Sequence, residues 1–166
     1  MKVNFALKKG NLIIKLLKIQ DCNKKYLNWL SDNKFISPNI KMKNLYHLRK
    51  YVLFNIKDKN SILLGVFVRN IHIGNIRLHD FNQKRNEVTF GILIGDKNYQ
   101  GKNYLSKILN IVEPYIKNRF KIRNILLGVN KNNFYARKSF KNNKFCIVRN
   151  NSYKKIFNQI LMRKKI

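Results

Sequence analysis

The spacing of apolar positions changes along the chain, and each change marks an element. Leu12–Leu17 is an apolar run of strand length. Asp21–Leu30 carries Cys22, Tyr26, Leu27, Trp29 and Leu30 at helical spacing, with Asp21 as its expected N-cap. Ser31–Lys43 is a polar connection containing Pro38, after which Asn44 caps a second helix with Leu45, Leu48, Val52 and Ile56 on its apolar face, widened by Tyr51 and Leu53. The period then shortens. Ile62–Val68 and Ile71–Leu78 read as strands joined by the hairpin dipeptide Arg69-Asn70. Val88, Phe90, Ile92 and Ile94 alternate as a third strand. A helix is expected over Asn103–Asn118, through Tyr104, Ile108, Ile111, Val112 and Tyr115, with Pro114 costing one hydrogen bond near its end. Ile122–Val129 is a strand and Asn133–Asn142 a short helix, while Phe145–Val148 and Ile156–Met162 are closing strands around the polar turn Asn150-Asn151-Ser152.

Three consecutive strands imply an antiparallel meander, and the strand–helix–strand unit after it implies a parallel neighbour. The expected class is therefore α+β (mixed α/β): a mostly antiparallel sheet of six to seven strands with helices on both faces. No Pro- or Ser-rich linker or repeat interrupts the 166 residues, so a single domain over 1–166 is expected, with its core at about 12–162.

The stretch Glu87–Leu105 (EVTFGILIGDKNYQGKNYL) narrows the function. A strand ends at Gly95, a polar loop containing Gln100-Gly101-Lys102 follows, and a helix begins. The first turn of a helix has N–H groups without intrahelical partners, and its dipole favours negative charge. Such a unit binds phosphate, although an ordinary solvated loop before a helix has the same pattern.

Composition adds less. Lys and Arg number 36 against 7 Asp and Glu, a net charge of +29, which attracts polyanions without choosing among them. The basic residues are spread over every segment, so a nucleic-acid partner is compatible with the charge but is not the favoured reading. Cys22 and Cys146 form no CxxC pair, and His47, His72 and His79 have no metal-ligand spacing, so no metal is expected. Apolar residues near the N-terminus are broken by Lys8, Lys9 and Lys15, and the most apolar window, Ile62–Val68, is far below the roughly 20 residues of a membrane span. A cytoplasmic protein, monomeric or homodimeric, is the expectation.

The element order resembles that of the GNAT superfamily of acyl-CoA N-acetyltransferases. The phrases carrying the resemblance are Tyr26–Asp32, Ile73–Leu78, Glu87–Asp96, Gln100–Leu105 and Asn133–Phe145, and it covers about residues 12–162. Within that group the chain is most similar to the branch of ribosomal-protein and amino-sugar N-acetyltransferases. The resemblance implies a splay between the strands at 88–95 and 122–129, with acetyl-CoA in the gap as co-substrate. Its pantetheine arm would pair with the backbone of Ile92, Leu93 and Ile94. Its pyrophosphate would sit on N–H groups of Gln100, Gly101, Lys102, Asn103, Tyr104 and Leu105.

Against the family pattern Gln/Arg-x-x-Gly-x-Gly/Ala, Asn103 stands at a usual Gly and Leu105 at a usual Gly or Ala. Asn tolerates the left-handed conformation, whereas Leu105 is expected to crowd the approach to phosphate. Asn133 is expected to cap its helix and to hydrogen-bond the pantetheine arm. Phe140 occupies the position where many relatives carry a thiolate-protonating Tyr, and a phenyl ring has no proton to give. Tyr104 and Tyr135 are the candidate substitutes for that donor. Glu87 is the expected base for the acceptor amine, with His79 beside Asp80 in reserve, although a carboxylate at the start of a strand also fits a solvated strand edge. The implied reaction is acetyl transfer to the primary amine of a small, nucleotide-linked amino sugar or of a protein N-terminus. The alternatives are a catalytically weakened CoA- or nucleotide-binding domain and a basic RNA- or ribosome-associated protein.

Overall fold

The computed structural model describes residues 6–35, 42–149 and 158–166. The expected Pro38 connection and the Asn150-Asn151-Ser152 turn lie outside the described residues. One eight-stranded sheet runs through the chain, in spatial order β1-β2-β3-β4-β5-β6-β8-β7. Its strands are β1 (Ala6–Lys9), β2 (Leu12–Leu16), β3 (Ser61–Val68), β4 (Ile71–Asn82), β5 (Glu87–Ile94), β6 (Asn124–Asn130), β7 (Cys146–Ile147) and β8 (Gln159–Lys165). The helices are α1 (Lys24–Ser31), α2 (Leu45–Lys57), α3 (Tyr104–Phe120) and α4 (Phe134–Asn142).

The expected six to seven strands become eight because β1 pairs with β2 through a turn at Gly10, whose φ is +57°. β1 reads ALKK and is mostly exposed, so it carries no apolar alternation, and its lysines suit an unpaired sheet edge. The Arg69-Asn70 hairpin forms as expected, with φ of 49° and 65° at its two central residues, the signature of a type I′ turn. Asp21 is not the cap of α1. Asn23 is, its side chain accepting from the Tyr26 N–H at 2.9 Å, while Asp21 closes a 3-10 turn by accepting from the Lys18 N–H at 2.7 Å. Asn44 caps α2 as expected, at 3.0 Å from the His47 N–H. α3 passes through Pro114 and ends at Lys121 in the left-handed region.

Alternation along the strands divides the core between the two faces of the sheet. On one face Leu105, Ile108, Leu109, Val112 and Ile116 of α3 and Phe140 of α4 pack on Ile14, Leu64, Ile76, Leu78, Val88 and Phe90. On the other, Tyr26 and Leu30 of α1 and Leu48 and Val52 of α2 pack on Leu17 and Leu63, with Leu93 against them. Leu63 and Leu64 are neighbours in sequence and belong to opposite cores, as a period of two requires. All strand pairs are antiparallel except β5 with β6.

Candidate active site

The parallel pair β5–β6 is joined only at Glu87 with Asn124, Val88 with Ile125 and Thr89 with Leu126. Both strands continue well beyond that, to Ile94 and to Asn130, without pairing to each other. The sheet therefore opens into a wedge after Thr89 and Leu126. Backbone groups along the inner edges of such a wedge have lost their sheet partners and demand others. A cavity of about 270 Å³ fills the wedge. Phe90, Leu127, Val129, Ala136 and Phe140 line it from the α3/α4 face, and Tyr26, Tyr51, Leu63, Asn75, Arg77 and His79 from the α1/α2 face. The cavity thus passes through the sheet, and two ligands can meet in it from opposite sides.

Of the three residues expected to face pantetheine, Ile92 and Leu93 line the cavity and Ile94 does not. The Ile94 carbonyl instead accepts from the Gln100 side-chain amide at 2.8 Å. Gln100 ties the following loop back to β5. That loop is held at its start by five contacts. The Trp29 indole covers Gly95 so closely that a Cβ there would lie 2.0 Å from the ring. The N–H groups of Gly95 and Asp96 both donate to the Ile73 carbonyl, at 3.0 and 3.1 Å. Asp96 accepts from the Asn98 N–H at 3.0 Å and pairs with Lys25 at 2.5 Å. Burial pushes the Asp96 carboxyl upward, but the Lys25 hydrogen bond and charge and the Asn98 N–H outweigh it and hold it below the usual carboxylate range.

Gly101 (φ +70°) and Asn103 (φ +57°) then place two left-handed residues on either side of Lys102, and α3 starts at Tyr104. Alternation of hand in successive residues turns backbone N–H groups into one concavity, and the first turn of α3 carries no acidic residue to oppose an anion. Asn103 adopts the conformation that glycine supplies in the family pattern. Leu105 does not crowd this concavity: its side chain is buried in the α3 core with Ile108 and Leu109. Tyr104 packs edge-on to Tyr99 with ring centroids 5.5 Å apart.

Asn133 caps α4, its side chain accepting from the Ala136 N–H at 3.1 Å, and it also lines the cavity. Phe140 lines it too and packs edge-on against Phe145. Neither Tyr104 nor Tyr135 is among the described lining residues, and Tyr135 is 91% exposed. Position 140 therefore presents only carbon to the cavity.

Glu87 and His79 separate clearly. Glu87 is buried at the closed end of the β5–β6 pair, opposite Asn124, with an Arg163 Nη1 3.9 Å from its carboxylate, and it is not among the residues lining the cavity. His79 lines the cavity. A bulge breaks the β4–β5 register between His79 and Asn82, with Asp80 in the left-handed region at φ 53°. Bulges of this kind re-aim side chains. The bulge brings Asp80 Oδ2 to 2.8 Å from His79 Nδ1. Burial, and then the Arg77 charge, lower the His79 pKa from 6.5, with Asp80 partly opposing them, so the ring is neutral at pH 7.

Sequence reasoning picked out His79 but missed Asn75 and Arg77, which form a polar wall with it. Its signal was present: these residues alternate with Ile76 and Leu78 and so share the α1/α2 face. Arg77 is anchored by Nε, which donates to Ser61 Oγ at 3.2 Å, and Ser61 Oγ in turn donates to Asn55 Oδ1 at 3.0 Å. The thiols lie elsewhere: Cys22 is buried, with its pKa pushed up to about 11 chiefly by that burial, and Cys146 is exposed. Among the described residues no group of three His, Cys, Asp or Glu side chains is placed to hold a metal ion, and no helix is long and apolar enough to cross a membrane.

A sheet wedged open beside a phosphate-receptive helix start is the architecture of an acyl-CoA-dependent acyltransferase. Residues 11–145 match the Acetyltransferase (GNAT) domain, and the chain belongs to that family. It is an N-acetyltransferase with acetyl-CoA as co-substrate. Among solved structures it is similar to RimL, a ribosomal L7/L12 alpha-N-protein acetyltransferase, in complex with coenzyme A (TM-score 0.81, 14% identity, 98% of each chain covered). It is similar to the Salmonella typhimurium acetyltransferase that modifies the N-terminal serine of L7/L12 (TM-score 0.80, 14% identity, 98% of this chain and 99% of that one). A third is the microcin self-immunity acetyltransferase MccE, in complex with acetyl-CoA and AMP (TM-score 0.79, 12% identity, 95% and 94%). A comparison with curated proteins finds no match.

Proposed function

We propose that the chain moves acetyl from acetyl-CoA directly to the primary amine of a small acceptor, a nucleotide-linked amino sugar, or of a protein N-terminus, with His79 as general base. The observation that carries this reading is the cavity through the sheet, with the β5 edge and Asn133 on its donor side and His79 on the other. Among the structural neighbours, one is described as a ribosomal-protein acetyltransferase, which supports the protein N-terminus, and another is in complex with acetyl-CoA and AMP.

In the reaction the amine nitrogen bonds to the thioester carbonyl carbon, the carbon–sulfur bond breaks with its electron pair going to sulfur, and the nitrogen gives up one proton. His79 takes that proton. With Nδ1 held by Asp80, Nε2 carries the basic lone pair, and the neutral ring is ready at pH 7. Unpaired N–H groups of β5 polarise the carbonyl. Phe140 gives the sulfur no proton, and solvent supplies it. A thiol pKa of about 8.5 makes thiolate a tolerable leaving group. Side-by-side binding across the wedge supplies much of the rate.

The test is release of free CoA thiol from acetyl-CoA with a panel of amines that includes amino sugars, their nucleotide-linked forms and serine-initiated peptides. Amine-dependent release, with the acetylated product seen by mass spectrometry, is the expected result. Tight CoA binding with no amine ever acetylated would leave a CoA-binding domain and end the enzymatic reading.

A further inference from the structure

Asn75 is a buried donor without a partner. It is 94% removed from solvent, it lines the cavity, and its Nδ2 has no hydrogen-bond acceptor. Its orientation is fixed by His72, whose Nε2 lies 3.0 Å from the Gly74 carbonyl and 2.9 Å from Asn75 Oδ1. Two acceptor oxygens beside one ring nitrogen require that nitrogen to carry the proton, so the Asn75 oxygen faces His72 and the amide N–H groups face away. A buried amide N–H with no acceptor is costly, and a site that keeps one is built for a ligand oxygen.

Two residues on, Arg77 presents its guanidinium to the same cavity. Nε is held by Ser61 Oγ at 3.2 Å, and Tyr51 lines the cavity beside it. Among the described residues no carboxylate forms an ion pair with Arg77, and none of the described lining residues is Asp or Glu. A fixed, uncompensated guanidinium beside an unpaired amide donor is a receptor for an oxyanion. His79 follows at the next position on this face, about 7 Å further along the strand.

We propose that Asn75 and Arg77 bind a carboxylate or phosphate group of the acceptor, so that the acceptor is a small primary amine carrying its anionic group only a few bonds from the nitrogen. This rests on the acetyltransferase reading and narrows it. The spacing from Arg77 to His79 sets the distance between the bound anion and the reacting amine.

The experiment compares matched amines with the full chain and acetyl-CoA: β-alanine against β-alanine amide, glucosamine phosphate against glucosamine, and a serine-initiated neutral peptide. The carboxylate and phosphate pairs separate the two sources of the anion. The anionic member of at least one pair should show kcat/KM about tenfold or more above its neutral partner, the scale of one charge-assisted hydrogen bond. In Arg77→Gln that ratio should fall toward one, Arg77→Lys should retain part of it, and Asn75→Ala should lower it with Arg77 intact. Equal use of charged and neutral partners, or acetylation of the peptide alone, would overturn the proposal while leaving the acetyltransferase reading standing. If no amine is acetylated, titration of β-alanine and glucosamine phosphate into the CoA-loaded protein decides. Binding that weakens in Arg77→Gln would uphold the anion site without the enzymatic reading, and no binding would overturn the site too.

Discussion

Gly95 is where β5 hands the chain to the loop that leads into α3, and it has no room for a side chain. A Cβ built there lies 2.0 Å from Trp29 Cδ2, 2.2 Å from Cγ and 2.5 Å from Cε3. Carbon atoms in contact sit about 3.5–4 Å apart, so Gly95→Ala must drive the indole and the strand end roughly 1.5 Å apart. The indole is not free to retreat, being packed against His72 (centroids 5.0 Å) and Tyr26 (6.0 Å). The backbone is held in turn by the Gly95 N–H bond to Ile73. Overpacking costs about 1–3 kcal/mol, and a clash between a wedged ring and a bonded backbone belongs near about 3 kcal/mol. Trp29→Ala alone loses ring packing, also about 3 kcal/mol for a half-buried indole. The two losses do not add. With the indole gone the new methyl group meets no ring, so Gly95→Ala in the Trp29→Ala background should cost under about 0.5 kcal/mol, a coupling of roughly 2.5 kcal/mol. Urea unfolding of the four proteins measures this, and CoA titration should show weaker binding in Gly95→Ala because the loop entry has moved. A Gly95→Ala cost that is equal with and without Trp29 would refute the reasoning.

His79→Gln should lower kcat/KM about 100-fold or more, on the scale of lost general-base catalysis. Since burial and Arg77 lower the His79 pKa, the part of the pH dependence that His79→Gln abolishes should lie below pH 6.5, apart from the loss that protonation of the acceptor amine causes in both proteins; an unchanged rate in the variant, measured by thiol release, would move the base elsewhere. Asn103→Ala puts a Cβ-bearing residue with no amide at φ +57° and should cost about 1 kcal/mol and weaken CoA, whereas Asn103→Gly should bind CoA at least as well as wild type, both read by calorimetric titration. Lys25→Met removes the cation that depresses the Asp96 pKa. A depressed carboxyl pKa stabilises above its unfolded value, about 4, and loses that contribution as pH falls through the folded value. Wild type and Lys25→Met should therefore differ in unfolding free energy at pH 7 and converge in acid; a gap that widens in acid would contradict the ion-pair account.

Elements set by local chemistry were legible in the sequence. Asn44 and Asn133 cap helices because a short amide side chain before an apolar period can accept from the N–H groups of the first turn. Arg69-Asn70 turns a hairpin between two β-rich runs. The parallel β5–β6 pair followed from the helix between its strands, and its splay came with the family resemblance. Features set by tertiary contact were not legible. β1 is a strand only because β2 offers it a partner. Asp21 and Asn23 are both capping residues two positions apart, and which one caps depends on how β2 delivers the chain to α1. Leu105 looked obstructive because its place in the loop pattern is visible in sequence and the rotation of α3 toward the core is not. That Glu87 lies at the closed end of the β5–β6 pair while His79 lines the cavity was not legible either, since both placements depend on register across strands.

The central claim is that the open edge of β5 and the start of α3 receive acetyl-CoA. Amide hydrogen exchange with and without CoA tests it directly. CoA should slow exchange at Gly91–Ile94 and at Gly101–Ser106, and leave Val88 and Thr89, at the paired end of the wedge, unchanged. Saturating CoA that protects neither segment, or protects only residues away from the wedge, would contradict the account.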